Sequence, residues 1–309
     1  MARFLWLAAS VAPIAALGCQ PSTDEGLSTD PPTTVTKVAS GGFSNPTDAV
    51  ASPDGNTFYF AAYNDEVEKQ PSIFATASVP DSTAEAIAVG APLDMPIGLV
   101  MSCEGDRLFV ADSGGEIGAL LQLPAAGGVV TELSASGLTR PGGVAIGPDC
   151  KTLYATGRTA DGVPALFAIS IDGGEARAVY SGAPLVSPTG LHVDSDGVAW
   201  VMDHLAHGPS GEGALFAIPA DGSAATAVVS DLRMGTPGGV SLVAGGGTAV
   251  MPTRDADGRA QLTSVVISTG ELQQLATPDI ADVGGLRTAR GAAVFAVVDT
   301  EGGAIYRAE

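Results

Sequence analysis

All three histidines of the chain fall within sixteen residues: His192, then His204 and His207 in the segment MDHLAHGPSGEG, beside Asp203 and Glu212. Imidazoles with a carboxylate form a donor set for Zn²⁺, and a histidine that passes protons would serve hydrolysis. His204 and His207 sit on a glycine-rich loop rather than a rigid helix, so nothing in their spacing aims them at His192. We favour a solvated loop beside an unrelated strand histidine. Three acids form a second pattern. Asp112, Asp203 and Asp299 each end a short apolar run (LFVAD, WVMD, VFAVVD). Carboxylates gathered round one mouth would suit Ca²⁺, which takes several oxygen ligands. The competing reading, which we favour, is that each accepts backbone N–H groups of its own tight turn. A divalent cation, Ca²⁺ or Zn²⁺, is the cofactor these residue types would take, though none of them demands one.

Nucleophilic catalysis finds no support. There is no Gly-x-Ser-x-Gly, and Ser210 in Pro-Ser-Gly lacks a strand–turn–helix setting. No phosphate loop appears. Of the three cysteines, Cys19 lies near the N-terminus, which leaves Cys103 and Cys150 as an even pair. In an exported chain such a pair suggests a disulfide, with two free thiols as the alternative.

These residues are carried by a repeat. A ten-residue register reads PTDAVASPDG from Pro46, PIGLVMSCEG from Pro96, PGGVAIGPDC from Pro141, PTGLHVDSDG from Pro188, PGGVSLVAGG from Pro237 and, in degenerate form, VGGLRTARGA from Val283. The steps are 50, 45, 47, 49 and 46 residues, the period of four-stranded propeller blades. Each unit opens with a small apolar inner strand, and a second strand carrying larger residues follows, as in Phe58-Tyr59-Phe60 and Leu108-Phe109-Val110. The runs are continuous rather than alternating, which fits strands buried on both faces. The expected fold is therefore all-β, a six-bladed β-propeller. The last unit stops at Glu309 without an outer strand, while Thr34–Ala39 is a strand with no blade of its own. The last blade should thus be closed by the N-terminal strand, leaving no open sheet edge.

Composition agrees. The 309 residues are 45% hydrophobic with 41 Gly and 21 Pro, enough for a large core joined by many turns. A net charge of −20 excludes nucleic acid as a partner. Residues 1–18 (MARFLWLAASVAPIAALG) combine Arg3 with a short apolar run and read as an export signal. Residues 19–32 are polar and aperiodic and read as a disordered tether, and residues 33–309 form the propeller.

Two resemblances extend this reading. Ala16-Leu17-Gly18-Cys19 resembles the lipobox of bacterial lipoproteins, which implies lipidation at Cys19; Leu17 departs from the small residue usual at its position. By the same analogy Gln20 implies sorting to the outer membrane, with a secreted or periplasmic protein as the alternative. The pattern Pro-x-Gly-[Val/Leu], Asp-Gly turn and Leu-[Phe/Tyr]-Val-Ala-Asp, closest at Arg107–Ser113, is similar to the NHL and SMP-30/gluconolactonase group of six-bladed propellers. That group's lactonases hold a divalent cation with a Glu, an Asn of Pro-Asn-Gly and an Asp. Here the Asn position is filled by Ile97, Gly142, Thr189 and Gly238, and Asp112, with Asp203 and Asp299, is the matching component. The expected function is a lipid-anchored, monomeric cell-envelope binding module that takes a protein, glycan or small molecule on its propeller face. A metal-dependent hydrolase of the lactonase type is one alternative, and a structural envelope protein without ligand is the other.

Overall fold

A computed structural model describes residues 27–207, 212–235, 238–278 and 280–309. Signal residues 1–18, Cys19 and the first part of the tether lie outside the described residues.

Six four-stranded antiparallel sheets follow one another along the chain. Blade one comprises Phe43–Ala51, Thr57–Asn64, Gln70–Ala77 and Glu85–Val89. Blade two comprises Pro96–Met101, Arg107–Asp112, Ala119–Pro124 and Thr131–Leu133, and blade three Val144–Ile146, Thr152–Arg158, Pro164–Ser170 and Arg177–Ser181. Blades four and five follow with inner strands Pro188–Val193 and Ser241–Leu242. Their second strands are Ala199–Asp203 and Thr248–Arg254. Blade six takes Val283–Thr288, Phe295–Asp299 and Ala304–Ala308 from the C-terminal end and its outer strand, Val35–Ser40, from the N-terminal end. The expected closure is realised: Val35 pairs with Ala308 and Ser40 with Ala304, and Thr33 and Thr34 both donate backbone N–H to the Glu309 carbonyl. No helix occurs among the described residues.

The core is divided between the blades. Six buried clusters each join two neighbours, such as Phe109 and Leu120 of blade two with Leu153 and Phe167 of blade three, or Trp200 and Met202 of blade four with Met251 and Val265 of blade five. This division explains the continuous apolar runs, since each sheet buries both faces against adjacent blades. The closing interface is the most aromatic: Phe43, Phe60 and Phe74 meet with ring centroids 4.7 to 5.6 Å apart. Phe58 and Phe60 are fully buried there, each worth about 1.5–3 kcal/mol relative to exposure. The N-terminal strand is therefore held by packing as well as by its ladder.

Where the inner strands begin, the blades nearly touch. The third register position is Gly98, Gly143, Gly190, Gly239 and Gly285 in five blades. A side chain at Gly98 would stand 2.7 Å from the Gly142 carbonyl oxygen of the next blade. One at Gly143, Gly190 or Gly239 would collide with backbone of the following blade, and one at Gly285 with Asp48. Glycine is demanded here by close backbone approach. Blade one breaks the rule with Asp48.

Candidate functional site: a blind funnel at the ring axis

Asp48 closes the ring of glycines with its charge. Its Oδ2 accepts the N–H of Leu99 at 2.8 Å and its Oδ1 that of Ala49 at 3.0 Å. Arg287 of blade six donates from Nη2 to Asp48 Oδ2 at 3.3 Å and from Nη1 to the Leu191 carbonyl of blade four at 2.8 Å. Both residues are buried, with 4% and 7% of their surface exposed. Burial raises the Asp48 pKa above the usual carboxylate value, and Arg287 with the two N–H groups offsets part of that. Only a void of about 10 Å³ remains beside this pair, so the axis is plugged at this end.

Beyond the plug the inner strands diverge into a cavity of about 1230 Å³. Its lining follows the repeat. The fifth register position supplies Val50, Val100, Ala145, His192, Ser241 and Arg287, and the sixth Ala51, Met101, Ile146, Val193, Leu242 and Thr288. At these two positions blades one to three present only apolar side chains, while blades four to six add an imidazole, two hydroxyls and a guanidinium to Val193 and Leu242; Ser102, Glu104, Asp149 and Lys151 of blades two and three also line the cavity. Ser241 Oγ accepts the N–H of Thr288 at 3.0 Å and lies 3.4 Å from His192 Nδ1. Burial, reinforced by Arg287 and Arg290, pushes the His192 pKa down to about 3, so this imidazole is neutral at neutral pH. Ser241 is fully buried and its Oγ is engaged by backbone.

The rim carries the Cys103–Cys150 disulfide, which joins blades two and three across 47 residues. The pairing expected from the even cysteine count is thus present. Leu27, Ser28, Asp30 and Pro31–Thr33 also border the cavity, so the segment leading to blade six passes its mouth.

The acids singled out in the sequence stand at the other end of the inner strands. Asp112 pairs with Pro96, Asp203 with Pro188 and Asp299 with Val283 at the ladder ends. Each carboxylate gathers N–H groups of its own blade: Asp112 from Asp94, Met95 and Gly114, Asp203 from Val186, Ser187 and Leu205, and Asp299 from Ala281, Asp282 and Gly302. In blade three the register puts Gly157 at this place, and Thr156, one residue earlier, accepts the N–H of Gly143 at 2.7 Å. The histidines separate. His192 borders the funnel, whereas His204 and His207 follow Asp203 at the far end of blade four. His204 is half-buried, which lowers its pKa, and its Nδ1 has no partner among the described residues. His207 Nδ1 lies 3.8 Å from Asp231 Oδ1. Among the described residues no three His, Cys, Asp or Glu side chains come together as a metal-ligand set.

Sequence reasoning passed over Asp48, Ser241 and Arg287. The available signal was departure from the repeat: Asp48 stands where five copies carry glycine, and the fifth position turns polar only in the last three copies.

The class that fold and site define is a six-bladed β-propeller with one end plugged and the other open as a blind funnel. Solved structures share this fold at low sequence identity. A chain of a nidogen/laminin complex is 17% identical, covers 79% of this chain and 85% of its own, and has a TM-score of 0.61. A putative TolB from Agrobacterium tumefaciens is 15% identical with coverages of 86% and 90% and a TM-score of 0.54. A protein of unknown function from Bacteroides thetaiotaomicron is 15% identical with coverages of 93% and 73% and a TM-score of 0.63. No protein-family model matches the chain. No curated protein matches it either.

Proposed function

We propose that this chain is an exported cell-envelope protein, anchored through a lipidated Cys19, that works as a binding module and takes its ligand into the funnel. The observation that carries the reading is the funnel itself: a cavity of about 1230 Å³ with an apolar flank and a few polar groups converging on the other, the usual make-up of a small-molecule site. The Arg287–Asp48 plug gives it a floor, so a ligand would enter and leave by one mouth. The disulfide would keep two rim turns at fixed spacing. An envelope location is supported by the apolar leader ending in Ala16-Leu17-Gly18-Cys19 and by the pairing of the remaining cysteines.

The test is native mass spectrometry of the full chain purified from bacterial membranes, beside Val100→Trp, which fills the apolar flank. A small-molecule adduct carried by the wild type and lost from the variant supports the reading. No adduct on the wild type, together with no thermal shift in a small-molecule extract of the envelope, would sink it. Cys19→Ser should move the protein from the membrane to the soluble fraction; an unchanged distribution would remove the anchor.

A further inference from the structure

Charge and hydrogen bonding along the funnel narrow its ligand, an argument that rests on the funnel being the binding site. The charges on the lining sort by depth. Asp30, Glu104, Asp149 and Asp194 stand at the mouth with Lys151 and Arg290, while Glu309 is paired with Arg307. Carboxylates therefore outnumber cations at the rim. Arg290 belongs to this upper level, in the turn after strand Val283–Thr288, and has an interaction of its own. An anion approaching the mouth meets a net negative rim. Deeper, among the inner strands, the charged groups are Arg287 and Asp48, and they neutralise each other. A cation that passed the rim would find no free carboxylate there, because both Asp48 oxygens are committed to backbone N–H groups and one of them also to Arg287. Burying a charge without a partner is costly, so the depth of the funnel suits a molecule that carries none.

One side of that depth still offers hydrogen bonds. Ser241 Oγ accepts the Thr288 N–H, which leaves its own proton for His192 Nδ1, 3.4 Å away. The neutral imidazole then carries its proton on Nε2, a donor on a half-buried residue of the lining. Arg287 Nε is buried without an acceptor among the described residues, and buried polar groups without partners are rare. Both groups give a proton and neither takes one. At the same register position blades one to three present Val50, Val100 and Ala145, which give and take nothing. From this distribution we infer that the ligand is an uncharged organic molecule, largely hydrocarbon, that carries an accepting oxygen such as a ketone or ester carbonyl. Its oxygen meets the side formed by His192 and Arg287, and its hydrocarbon body lies against Val50, Val100 and Ala145.

Probes that differ only in the head group test this. Isothermal titration of the full chain at pH 7.5 would compare 2-octanone with octanoate and octyltrimethylammonium, and 2-acetylnaphthalene with 2-naphthoate and a naphthylmethyl trimethylammonium salt. In at least one series the ketone should bind about ten-fold more tightly than both ions, and Val100→Trp should abolish that binding. His192→Phe, which keeps a ring and removes the donor, should weaken the ketone by about three-fold or more, as the loss of one hydrogen bond predicts. His192→Gln, which keeps an N–H, should weaken it less. Circular dichroism would confirm that the variants remain folded. An ion that binds as tightly as the ketone in both series overturns the uncharged ligand while leaving the funnel as a binding site. Equal ketone binding by wild type and His192→Phe overturns the hydrogen bond on which the accepting oxygen rests. Failure of every probe to bind overturns this inference too, and the funnel reading then rests on the adduct experiment alone.

Discussion

The Asp48 carboxylate and the Arg287 guanidinium meet 3.3 Å apart across 239 residues of sequence, tying the first blade to the sixth at the ring axis. Each neutralises a charge the other would leave stranded in the interior. Removing one partner of such a buried pair costs about 3–5 kcal/mol. Arg287→Met should therefore lower the melting temperature strongly, whereas Asp48→Gly in the same chain should recover part of the loss, since glycine is what the other five blades carry. A double-mutant cycle read by thermal unfolding checks this, and additive losses would refute the coupling.

Acid should weaken the fold through His192. Its pKa is about 3 in the folded protein and 6.5 when exposed, so the unfolded chain binds the extra proton between those values. The contribution is intact above about pH 6.5 and is lost progressively as pH falls toward 3. Asp48 acts in the opposite sense, because a raised carboxylate pKa favours the protonated folded state. The His192 term is thus read as the difference between wild type and His192→Gln. From pH 7 to pH 5 the wild type should lose on the order of 1–2 kcal/mol more than the variant by this linkage, measured by urea unfolding at each pH.

Reducing the Cys103–Cys150 bond, or replacing both residues with Ala, should cost about 2–4 kcal/mol by releasing a loop of 47 residues in the unfolded chain. The same change frees the rim between blades two and three. Hydrogen exchange of residues 102–106 and 147–151 should therefore quicken more than that of blade five; uniform quickening would count against a local staple.

The carboxylates at the far end should behave as backbone clamps. Asp299→Ala leaves three N–H groups without their acceptor and should cost roughly 2–3 kcal/mol. Thr156→Val leaves the Gly143 N–H without its side-chain acceptor and should cost about 1 kcal/mol by the same reasoning. Thermal unfolding of the two variants should rank them in that order.

Fold and site were legible to different degrees for a physical reason. Strand order and blade closure follow from apolar runs, turn residues and a constant step, all of which are local and repeated. Even the missing outer strand of blade six showed itself as a surplus strand at Thr34–Ala39. The funnel is not local. His192, Ser241 and Arg287 are dispersed over almost a hundred residues and become neighbours only because each holds the same place in its blade. His204 and His207, adjacent to Asp203 in sequence, drew attention by proximity along the chain, yet they stand at the opposite end of the blade from His192. Asp48 was visible as an intruder among glycines, but its partner was not. An arginine at the fifth position of the most degenerate copy gives no sign that it reaches across the axis.

The shared sixth blade also sets the order of events during synthesis. Val35–Ser40 is made early and has no ladder partner until Ala304–Ala308 exists. Until the blade-six strands Val283–Thr288 and Phe295–Asp299 exist, blade one has no neighbour on its Phe43–Phe74 side, and the aromatic surface that ends up sealed is still open. The ring therefore cannot shut until nearly every described residue has been delivered. A chain made only as far as blade five would leave the ring open. The closing ladder of the ring thus joins two strands almost the whole described chain apart.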